Sequence, residues 1–256
     1  MVNMSNFYHC IISQFNVKVH RPKRSPNPYP KDYDWVEKRL NILENYTYKS
    51  ILNQTNQNFE WLVFIDDKNT SKEHKDRINK LERITPVYIS HRCDFNYKID
   101  IVEYLDKNNK LNDYSITTSL DSDDCIRKDF IDLIQTKYFN NQSASKINFN
   151  FGYRYDFNTK YFWLIRWPDN PFLTVIENSK NINNLKTCKY HYLHWKVGQK
   201  FNNSIECNND PMFIHLIHTK NVGSKIDLPI TDNKHKRIIP NLETIYNDFG
   251  INLEQG

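Results

Sequence analysis

Three aspartates lie within four residues of the chain, at Asp121, Asp123 and Asp124. Carboxylates this close repel one another, by about 4 kcal/mol per pair at about 4 Å and an effective dielectric of about 20. A divalent cation relieves that repulsion, and Mg²⁺ or Mn²⁺ held by one or two carboxylates and by diphosphate oxygens is common in phosphate-handling enzymes. The residues alone also allow a solvated acidic turn that caps the next helix. An EF-hand loop is excluded because Ile126 stands where that loop needs glycine.

Weaker candidates lie in the second half of the chain. Glu177 ends an apolar run, so burial could raise its pKa and suit it to proton transfer. His218 also follows an apolar run, where a lone histidine is either a ligand or a structural residue. Trp163 and Trp167 could stack on a sugar ring or simply cover a core. The pair His191 and His194 could flank a ligand.

Glycine is scarce, with only five in 256 residues. Neither GxGxxG nor GxxxxGK[ST] occurs, and these are the loops whose backbone N–H groups cradle phosphates. The sequence therefore argues against a dinucleotide-binding dehydrogenase and a P-loop NTPase. If the protein handles phosphates, it must do so with a metal ion or with basic side chains.

Composition indicates a globular protein, with 39% hydrophobic, 25% charged and 14% aromatic residues. The five cysteines form no CxxC pair, which predicts a reducing compartment and argues against a zinc knuckle or a disulfide framework. The net charge of +5 suits an anionic small substrate or peripheral membrane contact, and is too small for a nucleic-acid footprint. With no spanning apolar run and no secretory signal, we expect a cytoplasmic protein.

Helical and strand patterns alternate along the first half. A stripe of apolar and small residues at positions 36, 40, 43, 47 and 51 predicts an amphipathic helix capped by Asp34. Predicted strands are 7–12, 61–65, 87–90 and 114–120, and the other predicted helices are 71–84, 99–107 and 128–138. This order predicts an α/β fold whose mostly parallel sheet carries helices on both faces and binds ligands at the carboxyl ends of its strands.

The pattern changes after the acidic turn. Aromatic-rich segments at 147–155 and 161–167 predict a hairpin, and the last helix is expected near Leu242–Phe249. We therefore divide one domain into two halves, 1–125 and 126–256.

Two motifs resemble those of inverting GT-A glycosyltransferases that use nucleotide sugars. The stretch SILNQTNQNFE at 50–60, with Asp66-Asp67 after it, is similar to one motif, and TTSLDSDD at 117–124 is similar to the metal site of that superfamily. More narrowly, 15–16, the helix at 35–39, Asn170-Pro171-Phe172 with Glu177, and 217–221 resemble the rhamnosyltransferase family. The resemblance is clear over the first half and scattered over the second. It implies that 1–125 is the nucleotide-sugar-binding half and 126–256 the acceptor-binding half of one domain.

The resemblance implies roles for the strand-end residues. Asp66, with Phe15 and Asn16 beside it, would hold the nucleoside of a nucleoside-diphosphate sugar. Asp121 would contact the ribose or the metal, and Asp123 would ligate the Mg²⁺ or Mn²⁺ that bridges the diphosphate.

Two further residues would complete that metal site. Asp124 would bind or orient the metal shell, and His218 would approach the metal or the diphosphate from the second half of the chain.

The implied reaction is one in-line displacement at the anomeric carbon, with inversion. Glu177 is the first candidate for the base that removes the proton of a glycan or small hydroxyl acceptor, and Asp169 is the second. Three alternatives remain open at this stage. They are a sugar nucleotidyltransferase, which normally shows a glycine-rich loop absent here, a metal-dependent nuclease, and a non-catalytic carbohydrate-binding protein.

Overall fold

The computed structural model describes residues 6–17, 32–90, 96–110, 112–141, 145–179, 185–189, 196–197, 199–201, 203–207, 210–219 and 235–254. His191, His194 and Asn221 lie outside these residues. The strands are β1 (Phe7–Gln14), β2 (Glu60–Asp66), β3 (Ile84–Ile89), β4 (Tyr114–Ser119), β5 (Cys125–Ile126), β6 (Ser145–Phe149), β7 (Phe151–Asp156), β8 (Tyr161–Arg166), β9 (Thr174–Asn178), β10 (Ser204–Cys207), β11 (Phe213–Ile217) and β12 (His235–Ile238). The helices are α1 (Tyr33–Ile42), α2 (Tyr48–Leu52), α3 (Lys72–Asn79), α4 (Tyr97–Lys107), α5 (Phe130–Asn141) and α6 (Leu242–Phe249), with a π-helical segment at Leu43–Thr47 between α1 and α2.

A seven-stranded sheet in the order β10-β6-β9-β4-β1-β2-β3 forms the centre of the fold. Strands β3, β2, β1 and β4 pair in parallel, and β10 pairs in parallel with β6. Strand β9 runs the opposite way, between β4 and β6. The predicted α/β fold with a mostly parallel sheet is therefore confirmed.

Alternate residues of the buried strands serve two cores. Trp61 and Val63 of β2 face the cluster that includes α1, α2 and α5, whereas Leu62 and Phe64 face the cluster that includes Ile101 of α4. These four residues of β2 are fully buried, as a strand covered on both faces requires. Helices thus lie on both faces of the sheet, as predicted.

Helix α1 begins two residues earlier than the sequence suggests. Its N-cap is Asp32, whose side chain accepts a hydrogen bond from Trp35 N at 2.7 Å, while Asp34 lies in the first turn, where its negative charge favours the helix dipole. The predicted stripe at 36, 40, 43, 47 and 51 is buried throughout. The intervening π-helical segment leaves the stripe facing the core.

Two other boundaries differ from prediction. Helix α3 ends at Asn79, and Ile84 begins β3 rather than ending a helix. The predicted strand 87–90 therefore begins three residues earlier, because an edge strand such as β3 tolerates Pro86.

A second, five-stranded sheet has the order β12-β8-β7-β11-β5. The predicted hairpin exists as β7 and β8, but the predicted strand 147–155 is two strands in two sheets. The chain breaks at Asn150, whose N–H donates to Cys207 O at 2.9 Å and whose carbonyl accepts from Trp167 N at 2.7 Å. These bonds hold Asn150 to a neighbouring strand and to the hairpin.

The two faces of this second sheet are also buried. Phe213 and Ile165 pack into the main core, and Tyr155, Phe162 and Leu216 pack with α6. Helix α6 has the predicted bounds and ends at Gly250, whose φ of 70° is the left-handed conformation that glycine adopts freely. Within the described part of the chain, none of the helices has the length and apolar character needed to cross a bilayer.

Candidate functional site

The acidic turn joins the two sheets, between the end of β4 and the start of β5. Leu120 N donates to Ile12 O at 3.2 Å, and Ser122 Oγ donates to Gln14 O at 3.0 Å, so the turn is docked on the end of β1. Asp124 N donates to Asp121 O at 3.1 Å and closes the turn. Only five residues connect β4 to β5, so the three carboxylates all lie at the same strand end.

Asp123 is buried and bound by two partners from distant parts of the chain. Arg39 Nη1 donates to Asp123 Oδ2, and His218 Nε2 lies 3.0 Å from the same oxygen. Burial alone would raise the pKa of Asp123, but the Arg39 charge and the His218 hydrogen bond hold that pKa well below its usual range. Asp123 is therefore the ionised carboxylate of the turn.

Arg39 is a component of the site to which sequence reasoning assigned no role. It is 6% exposed, its Nη2 donates to Ser122 Oγ at 2.8 Å, and its guanidinium lies 5.5 Å from the ring centroid of Trp35. Arg39, in the second half of α1, therefore brings a positive charge to the acidic turn. The available signal was an arginine on the buried side of an amphipathic helix.

Asp124 points away from Asp123. Its Oδ1 accepts a hydrogen bond from Leu216 N of β11 at 2.9 Å. Burial, together with the negative charges of Asp123 and Asp121, raises its pKa well above the usual value. Two neighbouring aspartates thus have opposite tendencies: Asp123 is ionised, and the neutral form of Asp124 is favoured.

Asp121 is the accessible carboxylate, with a side chain 45% exposed. Lys189 Nζ lies 3.2 Å from its Oδ1, and the Lys189 side chain is 11% exposed. This lysine was not predicted, because it lies 68 residues later in a segment without a recognisable motif.

The predicted nucleoside residues lie at neighbouring strand ends. Asn16 Oδ1 accepts from Asp66 N at 2.9 Å, and Asn16 Nδ2 donates to Thr70 Oγ1 at 2.8 Å. The Asp66 side chain accepts from Asn69 N at 3.1 Å, and so shapes the turn after β2. Phe15 is only 3% exposed and packs in the core. The structure brings the ends of β1, β2 and β4 to one edge, as predicted.

Glu177 is at the wrong end of the sheet to act at the acidic turn. It pairs with Ser115 near the start of β4, four residues and about 13 Å before Ser119 at the strand's carboxyl end. Burial raises its pKa, but both carboxylate oxygens accept hydrogen bonds from backbone N–H groups of Lys186 and Thr187, at 2.7–3.1 Å. The prediction missed this placement because β9 is antiparallel to β4.

Asp169 lies in the connection between β8 and β9. Its Oδ1 is 2.6 Å from Lys146 Nζ, and its φ of 50° is left-handed. Trp167, two residues earlier, has its ring centroid 5.4 Å from that of His215 on β11. The connection that carries Asp169 therefore borders β11, the strand that His218 directly follows.

The residues present can be tested for their fit to a divalent cation. Among the described residues, no three His, Cys, Asp or Glu side chains converge into a ready-made metal site. Asp123 Oδ2 and His218 Nε2 are 3.0 Å apart, which is the separation of two adjacent octahedral ligands that are each about 2.1 Å from Mg²⁺. With the His218 proton on Nδ1, Nε2 has a lone pair for a cation, and the pair then fits two positions of such a site in place of its hydrogen bond. Arg39 occupies the same Asp123 oxygen and would share it with a cation.

A mostly parallel sheet, a carboxylate turn at the end of its central strand and a small sheet that follows directly define a GT-A-like fold, the class that nucleotide-sugar glycosyltransferases use. The chain belongs to the family described as "Putative rhamnosyl transferase", whose sequence model matches residues 26–228. A comparison with curated proteins finds no match.

Solved structures show a related fold. Residues 1–349 of S. aureus TarS, in complex with UDP-GlcNAc, match with a TM-score of 0.50 and 10% identity over 86% of this chain and 62% of that chain. The chain thus spans less than two thirds of the TarS chain. A "putative nucleotide-diphospho-sugar transferase" from Desulfovibrio desulfuricans G20 matches at 6% identity over 81% of this chain and 80% of that one, with a TM-score of 0.36, too low to carry an argument.

Proposed function

We propose that this protein transfers a sugar from a nucleoside-diphosphate sugar to a hydroxyl group of a glycan or small acceptor. The observation that carries the proposal is the convergence of Asp123, His218 and Arg39 at the carboxyl end of β4. Family membership over residues 26–228 supports the same reaction class and favours rhamnose as the sugar. TarS, which shares the fold, was solved with UDP-GlcNAc, so a uridine nucleotide is a reasonable first donor to test.

We further propose that Asp123 and His218 hold Mg²⁺ or Mn²⁺. When bound, this ion would neutralise the charge on the departing diphosphate. Arg39 keeps Asp123 ionised and oriented, and Ser122 fixes the guanidinium from the other side. The exposed Asp121, with Lys189 beside it, faces the solvent edge where the donor's ribose and phosphates would enter.

We assign the nucleoside of the donor to the strand ends that carry Asp66 and Asn16. Their side chains and backbone tie the end of β2 to the end of β1 through a hydrogen bond of 2.9 Å. This contact holds the rim of the donor site rigid next to the acidic turn. Phe15 would contribute by packing beneath that rim, since its ring is in the core.

Asp169 is the proposed base. Its carboxylate would take the proton of the acceptor hydroxyl as that oxygen attacks the anomeric carbon, the bond to the diphosphate breaks, and the configuration inverts. The contact between Trp167 and His215 supports this assignment, because the Asp169 connection then lies beside β11, the strand that His218 directly follows. Lys146 Nζ, 2.6 Å from Asp169 Oδ1, forms an ion pair that orients the carboxylate.

A thermal-shift screen tests the proposal. UDP, GDP, dTDP and their rhamnose and N-acetylglucosamine derivatives are added with and without Mn²⁺. We expect one base to raise the unfolding temperature only when Mn²⁺ is present, and Asp123→Asn to remove that response. Asp132→Asn, which changes an exposed carboxylate on α5, is the matched control and should respond like the wild type. A wild-type protein that responds to none of these nucleotides would contradict the proposal.

A further inference from the structure

Polar side chains form one line across the second sheet, starting at the acidic turn. Strand pairing places His215 of β11 opposite Arg154 of β7, and Arg154 opposite Trp163 of β8. At the other end, Ile214 pairs with Cys125, and Leu216 N bonds to Asp124, so His215 lies beside the acidic turn. We call Arg154, Trp163 and His215 the polar row.

The polar row is the first polar layer above the main core. Side chains alternate along a strand, so the residues two positions earlier on β7 and β11 and two later on β8 share its face. These residues are Gly152, Phe213 and Ile165, and the last two belong to the main core. The polar row therefore lies on the same face as these core residues, where the partly buried Trp163 still packs against the main core.

Arg154 carries a positive charge without an acidic partner in the described part of the chain. No ion pair joins it to a described carboxylate, and its Nε is buried without a hydrogen-bond partner. Burial lowers the pKa of Arg154, and the negative charge of Asp124 opposes that shift without forming an ion pair. A partly buried guanidinium is costly unless an anion pairs with it, and its planar fork fits a carboxylate or phosphate.

Trp163 adds a second unused donor. Its Nε1 is buried without a hydrogen-bond partner, directly beside Arg154. Trp167 lies at the opposite end of the polar row from Trp163, where its ring contacts His215. An anion-binding group between two indole rings is a combination suited to a charged saccharide, since sugar rings pack on aromatic faces and their acidic groups pair with arginine.

We propose that Arg154 and Trp163 bind a negatively charged group, a carboxylate or a phosphate, on the acceptor saccharide. This inference rests on the proposed function. The donor's diphosphate is assigned to Asp123 and His218, whereas Arg154 pairs with His215 on the neighbouring strand, three residues or about 10 Å before His218 along the chain. That separation assigns the guanidinium to the acceptor rather than to the donor.

Binding of simple saccharides tests the inference without any nucleotide. Titration calorimetry compares methyl glucuronide with methyl glucoside, and glucose 6-phosphate with glucose. We expect wild-type protein to bind at least one charged probe about tenfold or more tightly than its neutral counterpart, and the two pairs to show which anion is preferred. Arg154→Met should remove this preference, and Trp163→Phe should weaken it.

The matched control is Arg166→Met, which removes an exposed arginine from the end of the same strand pair and should keep the preference. Arg154→Gln serves if the methionine variant does not fold. The inference is overturned if the wild type does not distinguish charged from neutral probes, or if both Arg154 variants retain the preference.

Donor binding is measured separately in the same variants by thermal shift with Mn²⁺. Arg154→Met should keep the donor response. If it loses that response while charged saccharides bind no better than neutral ones, Arg154 belongs to the donor site and only this inference fails. If charged saccharides bind but no nucleotide does, the proposed donor chemistry fails and the anion site stands.

Discussion

His218 Nε2 and Asp123 Oδ2 lie 3.0 Å apart, although 95 residues separate them in the chain. The contact joins the carboxyl end of β11 in the second sheet to the turn that follows β4 in the first. Two atoms that can each donate an electron pair to a cation, one from each sheet, therefore meet at one point. This contact gives the first prediction.

His218→Ala should weaken Mn²⁺-dependent binding of the nucleotide donor by at least about tenfold, because the cation would lose one of its two protein ligands. Binding of the nucleotide without Mn²⁺ should change little. Titration calorimetry with and without the metal separates the two effects. Equal loss in both conditions would mean that His218 contacts the nucleotide and not the metal.

Arg39→Met should lower the free energy of unfolding by about 3 kcal/mol, because it leaves the buried Asp123 carboxylate without its cationic partner. The double variant Arg39→Met/Asp123→Asn should recover part of that loss, since the unpaired charge is gone. Urea unfolding of the two single variants and the double variant measures the coupling. Strictly additive losses would show that the two side chains do not stabilise each other.

Asp124→Asn should be more stable than the wild type at high pH. The pKa of Asp124 is raised in the folded state above its ordinary 3.8, so folding of the wild type loses stability as pH rises from 3.8 through the folded pKa. Asparagine is neutral at every pH, and its amide oxygen can still accept from Leu216 N. Unfolding temperatures at about pH 5 and about pH 8 should show the variant's advantage growing with pH. A gap that shrinks with pH would contradict the assignment.

His9 should make the protein sensitive to mild acid. Its ring is buried between Thr118 Oγ1, 2.9 Å away, and Gln135 Nε2, 3.2 Å away, and burial lowers its pKa from 6.5 to about 3. Between these two pKa values, His9 binds a proton in the unfolded chain but not in the folded one. The free energy of unfolding therefore falls by about 3 kcal/mol as pH falls from about 6.5 to about 4. His9→Gln should have a flatter dependence of unfolding free energy on pH across this window, and an unchanged slope would refute the role.

Gly152→Ala should destabilise the second sheet. A Cβ at this position would lie 2.3 Å from Cε2 of the Phe213 ring, which is itself stacked on Phe172 with centroids 4.2 Å apart. The ring has no room to retreat, so we expect a loss of about 2 kcal/mol or more. Gly152→Ala/Phe213→Leu should regain stability relative to the single substitution if the collision is the cause. Thermal unfolding measures both variants.

Local patterns were sufficient to predict that the ends of β1, β2 and β4 meet at one edge of the sheet. Asp66, Asn16 and the acidic turn each follow an apolar run directly, and parallel strands bring such positions to one edge. The same reasoning failed for Glu177, because an apolar run does not reveal the direction of its strand. Strand β9 is antiparallel to β4, so its last residues lie at the end of the sheet opposite the acidic turn.

The sequence alone suggested no role for Arg39 or Arg154, for a different reason. Arg39 and Asp123 are 84 residues apart, and nothing in either local sequence identifies the other as its partner. Arg154 stands in a predicted hairpin strand, where a charged residue is usually read as solvent-facing. Only the pairing of β7 with both β8 and β11 shows what lies on each side of it.

The turn of five residues from Leu120 to Asp124 is the direct covalent link between the last residue of β4 and the first of β5. With so short a tether, a rotation of either sheet against the other must displace the carboxylates, and fixing the carboxylates must restrain both sheets. A bound donor that contacts the carboxylates would therefore restrain both sheets at this turn. Hydrogen exchange should therefore slow in β11 as well as in β4 when donor binds, even though the two strands belong to different sheets.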